Sequence, residues 1–198
     1  MNPAPKIAPK VQALLEHSDG IRCMAFSPCN KYLVSVGTVH DQCIIVYKNT
    51  QKNGWTKLAA AKFKDIIDSV IWSKRRIITV GRRHLRVWEW DEKSVHLFII
   101  ELIKSSGEVY VLTNRSVLYS HLGDDADFYA AAAMGGDAVA VASRTGLIYS
   151  LNASSREIRM VCDIGREISC LGWDKARNLL WIGGDHGSLG YFSSFLII

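Results

Sequence analysis

The chain has 198 residues, 48% hydrophobic and 22% charged, the balance of a folded globular domain rather than of a disordered segment. Apolar stretches such as Phe98–Ile100 and Phe195–Ile198 fall far short of the roughly 20 residues that a spanning helix needs, which argues against a membrane protein. Net charge is +5, and the excess sits in one section, because residues 48–93 carry 12 basic and 5 acidic side chains.

Residues 1–10 hold Pro3, Pro5 and Pro9 without an apolar period and read as a flexible tail lacking the core of a signal peptide. Val11–Glu16 is a short apolar segment with the look of an outer strand. Ile21–Pro28, Lys31–Gly37, Cys43–Tyr47 and Trp55–Ala61 then give four short strands, with Asn30, Gly37, Asp41 and Asn53-Gly54 in the turns between them. The pattern restarts with Asp68–Ser73, Arg76–Gly81 and His84–Glu89, so that Tyr47 and Trp88 hold the same place 41 residues apart. Glu108–Leu112 and Ser116–Tyr119 form a degenerate stretch. Ala130–Ala133, ahead of Gly135-Gly136, reads as an inner strand whose small residues fit a crowded axis. Asp137–Tyr149 and Asn178–Phe192 are two further units, with Tyr149 and Tyr191 42 residues apart. No long stretch repeats at 3.6 residues between helix caps.

Four short strands every 40–45 residues or so resembles the blade repeat of the WD family of β-propellers. The motifs carry the same resemblance: His17–Ile21 looks like the loop entering the innermost strand, Ala25-Phe26-Ser27-Pro28 like that strand's end, and Val87-Trp88-Glu89 stands at the Trp-Asp position. The resemblance implies structural roles. Asp41 pins the turn and His17, while Tyr47, Trp88 and Tyr191 fill the wedges between blades. Arg82 and Ser143 replace the turn Asp in two units, and Asp185 restores it in the last. Residues 31–90 also resemble the echinoderm microtubule-associated-protein-like group of tandem-propeller scaffolds.

The expected fold is therefore an all-β propeller over residues 11–198, in about five four-stranded units, some degenerate: 17–62, 65–95, 96–123, 128–164 and 167–198. Either Val11–Glu16 closes a five-unit ring against the last unit, or the chain is part of a larger propeller whose open edge a second copy or another chain covers.

Lys74, Arg75 and Arg76 in one turn, and Arg82, Arg83 and Arg86 around the next, are the candidate partner-binding cations, with Trp90 as an aromatic anchor on the rim. The expected partner is a protein with an acidic surface, tubulin among them. The alternative is nucleic acid or a ribonucleoprotein, which the absence of an aromatic-basic RNA module beside the charges disfavours. No nucleophile elbow, phosphate loop or metal-ligand spacing occurs, so neither catalysis nor a cofactor is expected, and the six histidines are not grouped as ligands. The acidic stretch Gly123–Asp127 lacks the spaced oxygens of a calcium loop and reads as a solvated turn. Five cysteines, an odd number with no CxxC pair, fit reduced thiols in a cytoplasmic or cytoskeletal protein.

Overall fold

The computed structural model describes residues 12–50, 53–82, 84–91, 96–103, 109–111, 127–155 and 157–193. They form four antiparallel sheets, each a meander in which consecutive strands are neighbours. The first contains β1 (Ile21–Phe26), β2 (Tyr32–Gly37), β3 (Cys43–Thr50) and β4 (Gly54–Lys62). The second contains β5 (Ile67–Ser73), β6 (Arg76–Gly81), β7 (His84–Asp91), β8 (His96–Ile103) and β9 (Val109–Val111). The third is β10 (Phe128–Gly135), β11 (Ala138–Ser143), β12 (Leu147–Asn152) and β13 (Ile158–Asp163). The fourth is β14 (Ile168–Asp174), β15 (Leu179–Gly184) and β16 (Leu189–Phe192).

The sheets stack face to face in chain order. The leading strands touch in sequence, since β5 lies beside both β1 and β10, and β10 lies beside both β5 and β14. That crowding explains the Ala130–Ala133 run, as small side chains let β10 sit between two neighbours. The second strand of each sheet is buried on both faces in the first three sheets, so it reads as a continuous apolar run rather than an alternating one.

Three apolar layers fill the junctions. Val34, Ile44 and Val46 of the first sheet meet Ile77, Trp88 and Trp90 of the second. Ile78, Val80 and Val87 of the second meet Val139, Val141 and Tyr149 of the third. Ala140, Ala142 and Ile148 of the third meet Leu180 and Ile182 of the fourth. Full burial of one such large apolar side chain stabilises by about 1.5–3 kcal/mol, so these layers dominate cohesion.

The structure corrects the expected organisation in two places. Four sheets stand among the described residues rather than five. Residues 96–103 of the supposed third unit are β8, the missing fourth strand of the second sheet, with β9 added outside it. The second and third sheets are direct neighbours.

Among the described residues, the segment at 12–16 pairs with no strand of the last sheet. Gln12 instead clamps Trp55 of β4, its side chain donating to the Trp55 carbonyl (2.8 Å) and accepting from the Trp55 amide (2.9 Å). Leu14 packs on Leu33, Ile45 and Tyr47, covering the outer face of the first sheet. That apolar face and those unpaired backbone groups are nearer partners for the segment than the far end of the stack. The last sheet keeps three strands among the described residues, and the solvent-facing side of the stack at each end remains apolar: Met24 and Phe26 on β1, Leu189 and Tyr191 on β16.

Candidate functional site

The polar residues within the sheets form short networks. In the first sheet His17 lies between Asp41 (Nδ1 to Oδ2, 2.5 Å) and Ser35 (Nε2 to Oγ, 2.6 Å), and Asp41 also accepts from the Ser18 amide and hydroxyl. Burial works against ionising Asp41, but the hydrogen bonds from His17 and Ser18 outweigh it and hold the carboxyl below its usual range. His17 is thus bonded at one ring nitrogen to Asp41 and at the other to Ser35.

The second sheet repeats this network with the roles exchanged. Trp88 Nε1 donates to Thr79 Oγ1 (2.9 Å), which leaves the Thr79 proton for His84 Nε2 (2.8 Å). His84 Nδ1 faces Asp65 at 3.4 Å, and Arg86 pairs with the same carboxylate at 2.6 Å. In the first sheet the histidine comes from the entry loop and the aspartate from the β2–β3 turn; in the second the aspartate comes from the entry loop and the histidine starts β7. Burial pushes the His84 pKa down, and the hydrogen bond from His84, followed by the Arg86 charge, lowers that of Asp65. Sequence reading assigned no role to Thr79, His84 or Asp65. The available signal was Thr79 two positions before Gly81, as Ser35 is two before Gly37.

The third sheet replaces the carboxylate with a hydroxyl. Ser143 Oγ accepts from the Leu147 amide (3.0 Å) and meets the Thr145 hydroxyl (2.9 Å), closing the turn.

The fourth sheet departs from expectation. Asp185 pins no histidine, because it is exposed and its carboxyl meets that of Glu167, which raises its pKa. Tyr191 is 61% exposed and lies tilted against Trp181 on the outward face, while Phe192 turns toward the third sheet. The alternation of β16 puts only one of these adjacent aromatics inside. Tyr47 and Trp88, in contrast, are 1% and 0% exposed.

The candidate cations do not form one patch. Lys74, Arg75 and Arg76 cap the β5–β6 hairpin, whereas Arg82 stands at the β6–β7 hairpin, at the other end of β6. Arg83 lies outside the described residues. Arg86 is only 13% exposed at its side chain and acts as an internal counter-ion to Asp65 rather than as a rim cation. Arg82 lies 3.9 Å from Asp127. Lys74 and Arg76 both contact Asp137 of the β10–β11 hairpin, at 2.6 and 3.4 Å.

Trp90 is no rim anchor either. It is 5% exposed and packs against Tyr32 (ring centroids 5.8 Å) in the layer between the first two sheets. Alternation from Trp88 gave the correct face, but the first sheet covers that face.

Ion pairs also cross every junction with one polarity. Arg22 pairs with Asp68, Arg82 with Asp127, and Arg144 with Glu167. In each case the cation belongs to the earlier sheet and the carboxylate leads into or begins the later one. Such exposed pairs contribute little, because water and salt screen them, so they orient the stack more than they hold it.

No family model matches the chain. It is similar to the cilia- and flagella-associated protein 52 of Mus musculus, with 28% identity over 136 residues. The same protein of Macaca fascicularis and of Bos taurus matches at the same identity over the same length. In each case 67% of this chain is covered, and the chain spans only 21–23% of the relatives' length.

Among the candidates, Lys74, Arg75 and Arg76 remain as a surface group at one hairpin. Trp72 Nε1 donates to the Lys74 carbonyl (3.1 Å), and the Trp90 amide donates to that of Arg75 (3.0 Å), fixing the hairpin. The other networks serve the sheets themselves. Of the thiols, Cys23 is half-buried and its pKa is pushed up to about 12 by desolvation, while Cys29 and Cys170 are exposed. Among the described residues, no group of three or more His, Cys, Asp or Glu is placed to hold a metal ion.

Proposed function

We propose that the four sheets are blades of a WD-type β-propeller, and that the chain is a non-catalytic, protein-binding scaffold of the ciliary or flagellar cytoskeleton. The similarity to cilia- and flagella-associated proteins over 136 residues carries the cellular assignment. The repeated His–hydroxyl–Asp networks of the first two sheets support the blade reading, because two sheets with little sequence identity solve the same turn problem with the same groups.

A scaffold also accounts for how the polar residues are used. His17, Ser35, Asp41, Asp65, Thr79 and His84 are committed to one another within the sheets, so their chemistry is structural. What the molecule offers outward is surface: a rim of turns and two apolar sheet faces bearing Met24, Phe26, Leu189 and Tyr191. Exposed apolar side chains grouped on a sheet face favour contact with further sheets, either from a second copy or from a neighbouring polypeptide. Nucleic acid is the weaker partner, since Lys74, Arg76, Arg82 and Arg86 all have carboxylates of the chain beside them.

The test is the location of the fluorescently tagged chain in flagellated cells after detergent extraction. Retention along the extracted flagellum is the expected result. A diffuse signal that detergent removes entirely would overturn the assignment.

A further inference from the structure

Where the second and third sheets meet, three turns enclose a cleft of about 400 Å³ lined by Lys74, Arg75, Arg76, Glu89, Asp137 and Ser154. This is within the size range of ligand-binding clefts, about 300–1,000 Å³. It is built from turns that lock one another. Ser73 Oγ donates to the Gly136 carbonyl (2.9 Å), joining the β5–β6 and β10–β11 hairpins. The Ala153 amide donates to the Asp137 carbonyl (2.7 Å), and Arg76 Nη1 donates to Ser154 Oγ (2.8 Å), bringing in the β12–β13 turn. Lys74 holds a left-handed backbone (φ 49°) at the hairpin tip, a conformation that a non-glycine residue keeps only where its surroundings fix it.

The charges are uneven. Lys74 and Arg76 share the single Asp137 carboxylate, and Arg75 makes no ion pair among the described residues and is exposed at the mouth. Among the described lining residues, three cations face two carboxylates, Glu89 and Asp137, an excess of one positive charge. The lock by Asp137 matters as much as the excess. It pays the ordering cost of two long cationic side chains before any ligand arrives, so an incoming anion meets positioned donors.

We propose that this cleft is a docking site for an acidic peptide segment, with Arg75 as the residue that takes its carboxylate and Lys74 and Arg76 as flanking donors. The single excess charge matches one side-chain carboxylate better than a phosphate dianion, which would reverse the sign of the cleft. The mouth opens on the rim, between two sheets, where an extended chain can cross. The inference rests on the reading of the chain as a protein-binding scaffold and supplies the chemistry of one partner.

The experiment is fluorescence anisotropy of a labelled oligo-glutamate peptide titrated with the purified chain at low salt, with inorganic phosphate as competitor. Arg75→Glu is expected to weaken binding about tenfold, and raising salt from about 50 to about 300 mM to weaken it further. Arg82→Glu, at the opposite rim, is the matched control and leaves affinity unchanged. Equal losses in both variants would reduce the effect to net charge and overturn the proposal. So would absence of binding at low salt, or displacement of the peptide by phosphate at equal concentration. Peptide binding by a chain that detergent washes from flagella would sink the cytoskeletal assignment alone. Flagellar retention without peptide binding would sink the cleft alone.

Discussion

Replacing Thr79 by valine isolates the polar network of the second sheet. The two side chains have nearly the same shape, and Thr79 is 0% exposed, so the change opens no cavity and alters no surface. It removes one oxygen that serves two buried partners, Trp88 Nε1 at 2.9 Å and His84 Nε2 at 2.8 Å. Both partners stay where water cannot reach them, Trp88 at 0% and His84 at 2% exposure. An unsatisfied buried polar group costs about 1–3 kcal/mol, so with two such groups the loss is about 2–6 kcal/mol against a typical total of about 5–15 kcal/mol. Urea unfolding followed by tryptophan fluorescence reads this as a lower midpoint at unchanged slope. Thr79→Ser keeps the hydroxyl and is expected to recover more than half of the loss. If Thr79→Val costs less than about 0.5 kcal/mol, the network contributes nothing and the exchange of roles between His84 and Asp65 is incidental.

Two further predictions follow from burial. His84 has its folded pKa lowered below 6.5 by desolvation, so as pH falls the unfolded chain takes a proton that the folded chain refuses, and stability falls with it from about pH 6.5 downward. Asp65 and Asp137 are held below 3.8, contribute stability above that value, and lose it only in stronger acid. Unfolding free energies between about pH 5 and about pH 7 should therefore slope in the parent and flatten in His84→Gln, and an equal slope in both would refute the assignment. Trp90→Ala should cost about 3–5 kcal/mol, as expected for a core aromatic, whereas Tyr191→Ser should change stability by less than about 0.5 kcal/mol. Matched denaturation curves decide this, and similar losses in the two variants would contradict the placement of Tyr191 outside the stack.

What could be read in the sequence was what is local. Alternating apolar strands between Gly, Asn and Asp turns identify the first sheet almost strand by strand, because period and turn chemistry act over a few residues. The pairing of His17 with Asp41 is implied by the resemblance to the repeat, with His17 in the loop before Ile21 and Asp41 six residues before Tyr47. Several failures come from contact across long separations. Lys74 and Asp137 are 63 residues apart, so counting cations along residues 74–86 could not show which of them were already neutralised. The fate of Trp90 depends on Tyr32 in another sheet, and that of Gln12 on Trp55. The apparent third unit arose because β8 has the composition of any outer strand, and only pairing with β7 assigns it to the second sheet. Tyr191 and Phe192 are neighbours of similar character, and a one-residue choice of register decided which of them faces the core.

The most direct test of the cytoskeletal scaffold reading is pelleting of the purified, folded chain with demembranated flagellar axonemes over a range of axoneme concentrations. The account predicts saturable co-pelleting. A chain that stays in the supernatant at every concentration, while remaining folded, would contradict it.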